Sequence, residues 1–476
     1  MTASNVQDKL TELATALDVP GVAVGVLVDG EEHYAFHGVT SVENPLPVDE
    51  NTLFQFGSTG KTFTATAMMR LVEQGKVDLD APVRTYVPEL KLKDEDVAQR
   101  VTVLQLFNHT AGWEGDMMDN TGEGDDALEK YVARMERLEQ SSPLGATVSY
   151  NNASLSLAGR VIEKVTGKTY EQAVKELLFE PLGLDQTFFF MTEIMTRRFA
   201  VGHRREEDGT ITIARPWALP RGGAPAGGMS ATARDQIAWA KFHLGDGTAP
   251  DGTRLLSKEL LDRMKQPTAD MRGSALGDYV GISWLMRDID GVRVVGHGGT
   301  TNGQHSEFVT VPERGFALVS LTNCGPNGPE LNDALQKWAF EHYLGLIDKE
   351  PEPISLTAEQ LAPYTGRYET IAATVEITID GGRLLANVQI KPEMAAVLRE
   401  SGEDVPEEQP PVPLALLSED GDNYVVPEGP GKGMKGYFAR GADGTVDGVH
   451  VGGRLATRVA VVPSPAAATD DAILRA

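Results

Sequence analysis

Thiols are almost absent from this chain: Cys324 is the single cysteine in 476 residues. One thiol excludes an intrachain disulfide and any multi-thiolate zinc site. Cys324 follows the apolar run at 316–321 and reads as a packed core thiol. Long apolar stretches are missing as well. The longest candidate, 19–28, contains Pro20 and two glycines and falls short of the roughly 20 residues that cross a bilayer. Positive charge is in deficit, with 43 Lys and Arg against 69 Asp and Glu, for a net charge of −26. That balance repels phosphate backbones and anionic lipid, which argues against nucleic-acid and membrane-surface partners. No HExxH motif or carboxylate cluster suggests a metal, and nothing implies a cofactor. The opening MTASNVQDKL has neither a basic n-region nor an apolar h-region, so a cytoplasmic protein is the expectation.

What is present suits a large globular enzyme. The chain is 41% hydrophobic and 24% charged, enough to bury a substantial core, and its 50 glycines exceed the usual share of about 7%. The periodicity predicts a helix over 6–17 and then a hairpin turning at Asp29-Gly30. Further helices are predicted from Ser58 to a Gly75 stop, after Asn152 to Gly167, and from the capping pattern Thr232-Ala233-Arg234-Asp235. Strands return near 292–295, 307–311 and 316–322, followed by a helical stretch at 335–346. Strands at both ends with helices between them indicate an α+β domain whose sheet joins the two ends of the segment. The charged, proline-interrupted IDKEPEPISL reads as a linker over 347–356. Beyond it, 357–476 is rich in short strands around a Gly381-Gly382 turn, and EEQPPVPLA at 407–415 reads as a loop.

The most informative segment is Phe56-Gly57-Ser58-Thr59-Gly60-Lys61-Thr62-Phe63, at a loop-to-helix junction. Gly60-Lys61-Thr62 mimics the end of a phosphate loop, but Gln55 stands where that motif needs its first glycine. The other reading is Ser-x-x-Lys, which places Ser58 and Lys61 on one helical face. Free N–H groups at a helix start favour a developing oxyanion, and a desolvated lysine can lose its proton near neutrality. The plain reading, a capping serine followed by a solvated lysine, stays open for this motif taken alone. Two more motifs follow in order. Tyr150-Asn151-Asn152 opens a helix, and His297-Gly298-Gly299-Thr300 follows a strand, where glycine permits close backbone approach.

Together these three motifs resemble the tripartite signature of serine β-lactamases and penicillin-binding proteins. Residues 1–346 are similar to that superfamily, in particular to class C-type enzymes, family VIII carboxylesterases and D-aminopeptidase-like peptidases. The segments Phe107-Asn108-His109-Thr110-Ala111-Gly112 and Ala226-Gly227-Gly228-Met229-Ser230-Ala231-Thr232 resemble two further family phrases. Tyr364-Thr365-Gly366-Arg367-Tyr368 resembles the opening of the lipocalin-like β-domain that some members carry. The resemblance implies an antiparallel sheet flanked by helices plus a helical subdomain, followed by a small all-β domain. It implies Ser58 as nucleophile, Lys61 as proton carrier and Tyr150 as general base. Asn152 would orient Lys61 and bind a substrate carbonyl or amide, and the backbone N–H groups of Ser58 and Thr300 would form an oxyanion hole.

One position departs from the pattern. His297 stands where β-lactamases have a lysine, and a histidine is only partly charged at pH 7. That weighs toward a small ester, amide or short-peptide substrate over a β-lactam. Phe56 replaces the first glycine of Gly-x-Ser-x-Gly, so an α/β-hydrolase elbow does not fit. Of the remaining histidines, His109 reads as a loop brace and His305 as a candidate pocket residue, while 113–126 is a candidate pocket wall. The composition leaves room for a homo-oligomer. The reading from another class is a catalytically silent member that serves binding or assembly; retention of Ser58, Lys61, Tyr150 and Asn152 together speaks against it.

Overall fold

The computed structural model describes residues 4–217, 219–400, 410–418, 421–429 and 431–459. Helix α1 (Ser4–Ala16) leads into β1 (Gly21–Val28), which turns at Asp29 and Gly30, both at positive φ, into β2 (Glu31–Gly38). Every residue of β1 is buried, because both of its faces are covered. Val22, Val24 and Val26 share a core with α1 and the later helix α5, while Ala23 and Leu27 belong to the opposite core.

The helices that carry the sequence motifs follow. A short 3₁₀ turn, Gly57–Thr59, runs into α2 (Gly60–Glu73), and α3 (Asn152–Thr166) is capped by the Asn151 side chain and ends at Gly167 in the left-handed conformation. Thr232 caps α4 (Ala233–Leu244) through the Asp235 amide, as the capping pattern predicts. The chain then returns to the sheet through β3 (Ala269–Ser274), β4 (Gly277–Val280), β5 (Leu285–Ile289), β6 (Val292–Gly296), β7 (Gly299–Thr300), β8 (His305–Val311) and β9 (Phe316–Thr322). The nine strands are antiparallel in the order β2-β1-β9-β8-β6-β5-β4-β3, with β7 pairing β8. Helices α2, α3 and α4 share a core on one face; α1 and α5 (Asn327–Ala339) cover the other.

Helix α5 starts eight residues before the predicted 335, because Leu331 as well as Leu335 supplies the buried stripe. Residues 347–356 carry no regular structure, yet Asp348 binds Arg287 at 2.9 Å and the Ile354 amide donates to Leu416. Eight strands then close a barrel: β10 (Gly366–Glu369), β11 (Ala373–Asp380), β12 (Arg383–Ile390), β13 (Val412–Leu416), β14 (Asn423–Val425), β15 (Lys435–Arg440), β16 (Val446–Val451) and β17 (Arg454–Val459). This is the small all-β unit that the sequence predicts. The expectation of a loop over 407–415 is corrected for its last residues. Val412 to Leu416 pairs with β12 despite Pro413, because β14 joins only from Ala415 onward and Pro413 has a strand on one side alone. Residues 407–409 lie outside the described residues. A helix absent from the sequence reading, α6 (Pro392–Glu400), follows β12.

Candidate active site

The site forms where α2, α3, the β6–β7 edge and the barrel converge. Gly57 adopts φ +53°, which aims the next residue, Ser58, into a cleft. At Gly299 a Cβ would stand 2.0 Å from the Phe56 carbonyl oxygen and 2.7 Å from the Ser58 amide nitrogen. A Cβ on Gly57 would likewise meet the Thr300 amide nitrogen at 2.7 Å. Glycine on both sides therefore lets the serine turn and the edge strand touch backbone to backbone, with the amides of Ser58 and Thr300 close together. The contact is fastened from behind. Thr59 Oγ1 donates to the His297 carbonyl at 2.7 Å, and Ser306 Oγ donates to the Phe56 carbonyl at 2.7 Å.

Lys61 is fully buried, and its Nζ lies 2.9 Å from Ser58 Oγ and 2.7 Å from the Ala226 carbonyl oxygen. Burial, and then the positive charge of Arg454, push its pKa well below the usual lysine range. Such a lysine is not a solvated surface cation, so the plain reading of this segment falls away. Tyr150 lies across the site with its ring 4.8 Å from Lys61 Nζ. Burial raises its phenol pKa, and the hydrogen bond to Ser58 and the Arg454 charge act in the other direction.

His297 is buried with Nε2 3.5 Å from the Tyr150 hydroxyl and Nδ1 2.6 Å from the Gly298 carbonyl. Burial first and the Lys61 charge second bring its pKa down to about 3. The expectation of a partly charged histidine is thereby corrected: burial beside Lys61 disfavours the charged ring. Thr300 is exposed in the cleft, and its Oγ1 meets His305 Nδ1 at 3.2 Å. His109 is buried under Tyr150, with ring centroids 4.5 Å apart, and its Nδ1 accepts from the Asn151 amide, so it braces the loop.

Asn152 opens α3, and its Nδ2 donates to Asp116 Oδ1 at 2.8 Å, whereas the partners of Lys61 are Ser58 and Ala226. Asp116 also takes two bonds from Arg454, at 2.8 and 3.1 Å. Burial opposes ionisation of Asp116, but Arg454 and Asn152 outweigh it and hold the carboxyl below its ordinary value. Arg454 belongs to the barrel, and its guanidinium lies 5.0 Å from the Tyr150 ring centroid. The same hairpin accepts the Tyr150 amide on the Gly453 carbonyl at 2.8 Å and donates the Leu455 amide to Ser149 Oγ. Asp116 and Arg454 are the two site residues that sequence reasoning missed. The first lies inside the stretch 113–126 read as a pocket wall; the second follows a Gly452-Gly453 turn and carries no local signal. The cleft has a volume of about 1740 Å³. Among the described residues no group of histidine, cysteine and carboxylates is placed to hold a metal ion, and no helix is long and apolar enough to cross a membrane.

An antiparallel sheet whose edge strand closes on a half-buried serine and a buried lysine defines a β-lactamase-fold serine hydrolase. The family model described as Beta-lactamase matches residues 6–341, and the chain belongs to this family. It is 35% identical to Penicillin-binding protein 4 of Amycolatopsis lactamdurans over 372 residues, 76% of this chain and 96% of that protein. It is 30% identical to the β-lactamase of Yersinia enterocolitica over 288 residues, 60% of this chain and 69% of that one. The crystal structure of SurE superimposes with a TM-score of 0.77 at 26% identity, covering 96% of this chain and 99% of that one. The octameric penicillin-binding protein homologue from Pyrococcus abyssi shares the fold, with a TM-score of 0.65 at 22% identity over 94% of this chain and 98% of that one.

Proposed function

We propose that this chain hydrolyses a small ester or amide bond through an acyl-enzyme on Ser58, with a D-amino acid at the scissile bond. The observation that carries the reading is Lys61 Nζ, fully buried and 2.9 Å from Ser58 Oγ. A lysine whose charged form is disfavoured by burial accepts the serine proton more readily as Oγ attacks the substrate carbonyl. The oxyanion that forms is taken by the N–H groups of Ser58 and Thr300, and losing one such donor typically costs about 2.7–4 kcal/mol. Tyr150, adjacent to both Ser58 and Lys61, passes the proton to the departing alcohol or amine. In deacylation it takes a proton from water while handing its own to Lys61; the water oxygen attacks the acyl carbon, and Lys61 returns that proton to Ser58 Oγ as the acid leaves. Lys61 and Tyr150 titrate as a coupled pair. Residues 1–346 supply the nucleophile, 347–356 connect, and 357–476 close the site through Arg454.

The D-configuration is favoured because SurE, which covers nearly the whole of this chain, is also described in complex with D-Leu. A neutral His297 in place of a lysine disfavours β-lactams, whose carboxylate wants a permanent cation. Reaction with a fluorophosphonate, read by intact mass, gives one adduct on the wild type and none on Ser58→Ala. Equal labelling of both rejects the nucleophile. Rates with p-nitrophenyl acetate, p-nitrophenyl butyrate, D-alanine p-nitroanilide and nitrocefin then rank ester, D-amide and β-lactam. Nitrocefin as the best substrate would overturn the substrate reading.

A further inference from the structure

The cleft is larger than a small substrate needs. Pockets for compact ligands run to about 300–1,000 Å³, whereas this one measures about 1740 Å³. Where the barrel meets the loop 113–126, its lining combines charged residues such as Asp119 and Glu393 with several large apolar side chains. Met118 is 51% exposed, Leu219 38% and Ile371 40%, and all three line the cleft together with the half-buried Met394. Large apolar side chains gathered on one exposed cleft mark a binding surface, and methionine adapts to chains of varied shape.

An ion pair ties the barrel's end to that loop, since Arg454 grips Asp116. Lys391, the residue before α6, pairs with Glu369 of β10 at 2.9 Å. The Lys391 amide donates to the Ala372 carbonyl, which holds Ile371 and Met394 at the same end. Met118 is two residues beyond Asp116, to which Asn152 is bonded, and Asn152 and Met118 line the same cleft.

We infer that the acyl arm of the substrate is an extended apolar chain, lying between Met118 and Leu219 on the hydrolase side and Ile371 and Met394 on the barrel side. This rests on the acyl-enzyme reading and adds the class of acyl group that the site selects. The barrel thus acts as a wall of the substrate site and sets the preferred chain length.

The test is the dependence of kcat/KM on acyl length for p-nitrophenyl acetate, butyrate, hexanoate and octanoate. In the wild type each added methylene that reaches the wall raises kcat/KM by up to about fourfold, as burial of one methylene allows. In an Ile371→Ser/Met394→Ser double variant that gradient flattens, while acetate turnover stays within about twofold. A wild-type profile that is flat or falls beyond butyrate overturns the inference, as does an unchanged gradient in the double variant. Calorimetric binding of decanoate to Ser58→Ala reads the same surface without chemistry. At least about tenfold weaker binding is expected when the two serines are added to that variant, and equal binding overturns the inference. Loss of acetate turnover in Ser58→Ala reports separately on the acyl-enzyme.

Discussion

Replacing Arg454 with methionine removes the one barrel cation that faces Tyr150 and keeps much of the side chain's bulk. The guanidinium carbon lies 5.0 Å from the Tyr150 ring centroid. At that distance an effective dielectric of about 20 gives about 3 kcal/mol for a full charge pair. The Arg454 side chain is 37% open to solvent, which screens the interaction to roughly half, about 1.5 kcal/mol or one pH unit. The sign follows from which form each neighbour favours. Arg454 stabilises a tyrosinate and repels a protonated Lys61, so it lowers the pH at which the coupled pair loses its proton. Asp116 acts in the opposite sense on both groups.

Arg454→Met therefore shifts the acid limb of kcat/KM upward by about one pH unit. At a fixed pH on that limb the rate falls about tenfold, and it recovers at higher pH. Asp116→Asn shifts the limb downward, and the double variant returns near the wild-type position, since the two charges leave together. Each single variant also melts lower, because it strands one member of a partly buried pair, and the double variant regains part of that loss. The assay is hydrolysis of p-nitrophenyl acetate between pH 5 and 10, with circular dichroism to confirm folding. An Arg454→Met profile that overlays the wild type refutes the reasoning, and so do two single variants that shift the same way.

Two more expectations concern buried histidines. His297→Lys places an amine beside the Tyr150 hydroxyl, where the ring nitrogen now lies 3.5 Å away. The ratio of kcat/KM for nitrocefin to that for p-nitrophenyl acetate then rises at least about tenfold, whereas an unchanged ratio denies that the missing cation limits β-lactam turnover. Burial also holds His297 near 3 and His305 and His450 near 4, and keeps His109 and His243 well below the ordinary value. Because these rings take up protons only when the chain unfolds, their stability contribution is complete above about pH 6.5 and is lost toward pH 4. Asp235 near 6 and Glu307 near 7 oppose the trend, since burial favours their protonated form in the folded state, but they are fewer. Tm is expected to fall by several degrees from pH 7 to pH 5; a constant or rising Tm contradicts the balance.

The legible parts of this molecule are those whose cause is local. The Asp29-Gly30 turn, the Thr232 cap and the Gly167 stop each depend on residues within four positions, and each lies where the sequence puts it. The serine–lysine pair was readable for the same reason, since three residues on a helical turn suffice. Helix α5 shows the limit, because its first turns are held by burial of Leu331 in the core it shares with α1 and the strands β8 and β9, and not by a strong start signal. Val412 to Leu416 reads as a loop until β12 is present to pair with it. His297 is the sharpest case: its position in the motif was legible, but its charge state is set by the depth of packing around it.

Arg454 lies 304 residues after Tyr150, and that separation explains both why it was illegible and why the barrel matters. By the resemblance, the cation of such a site belongs on the edge strand, at the position that His297 occupies here. Here the ring at that position is neutral, and the guanidinium near Tyr150 arrives on the β16–β17 hairpin instead. The hairpin does not merely present a charge. It accepts the Tyr150 amide on Gly453, donates the Leu455 amide to Ser149, and places His450 Nε2 3.2 Å from the Val148 carbonyl. Three consecutive residues leading into α3 thus take their backbone or side-chain partners from the barrel. A displacement of the barrel would move the phenol and its neighbouring cation together. On the proposed mechanism, then, the barrel is part of the proton-transfer apparatus, and its separation from the hydrolase unit along the chain is not a separation in function.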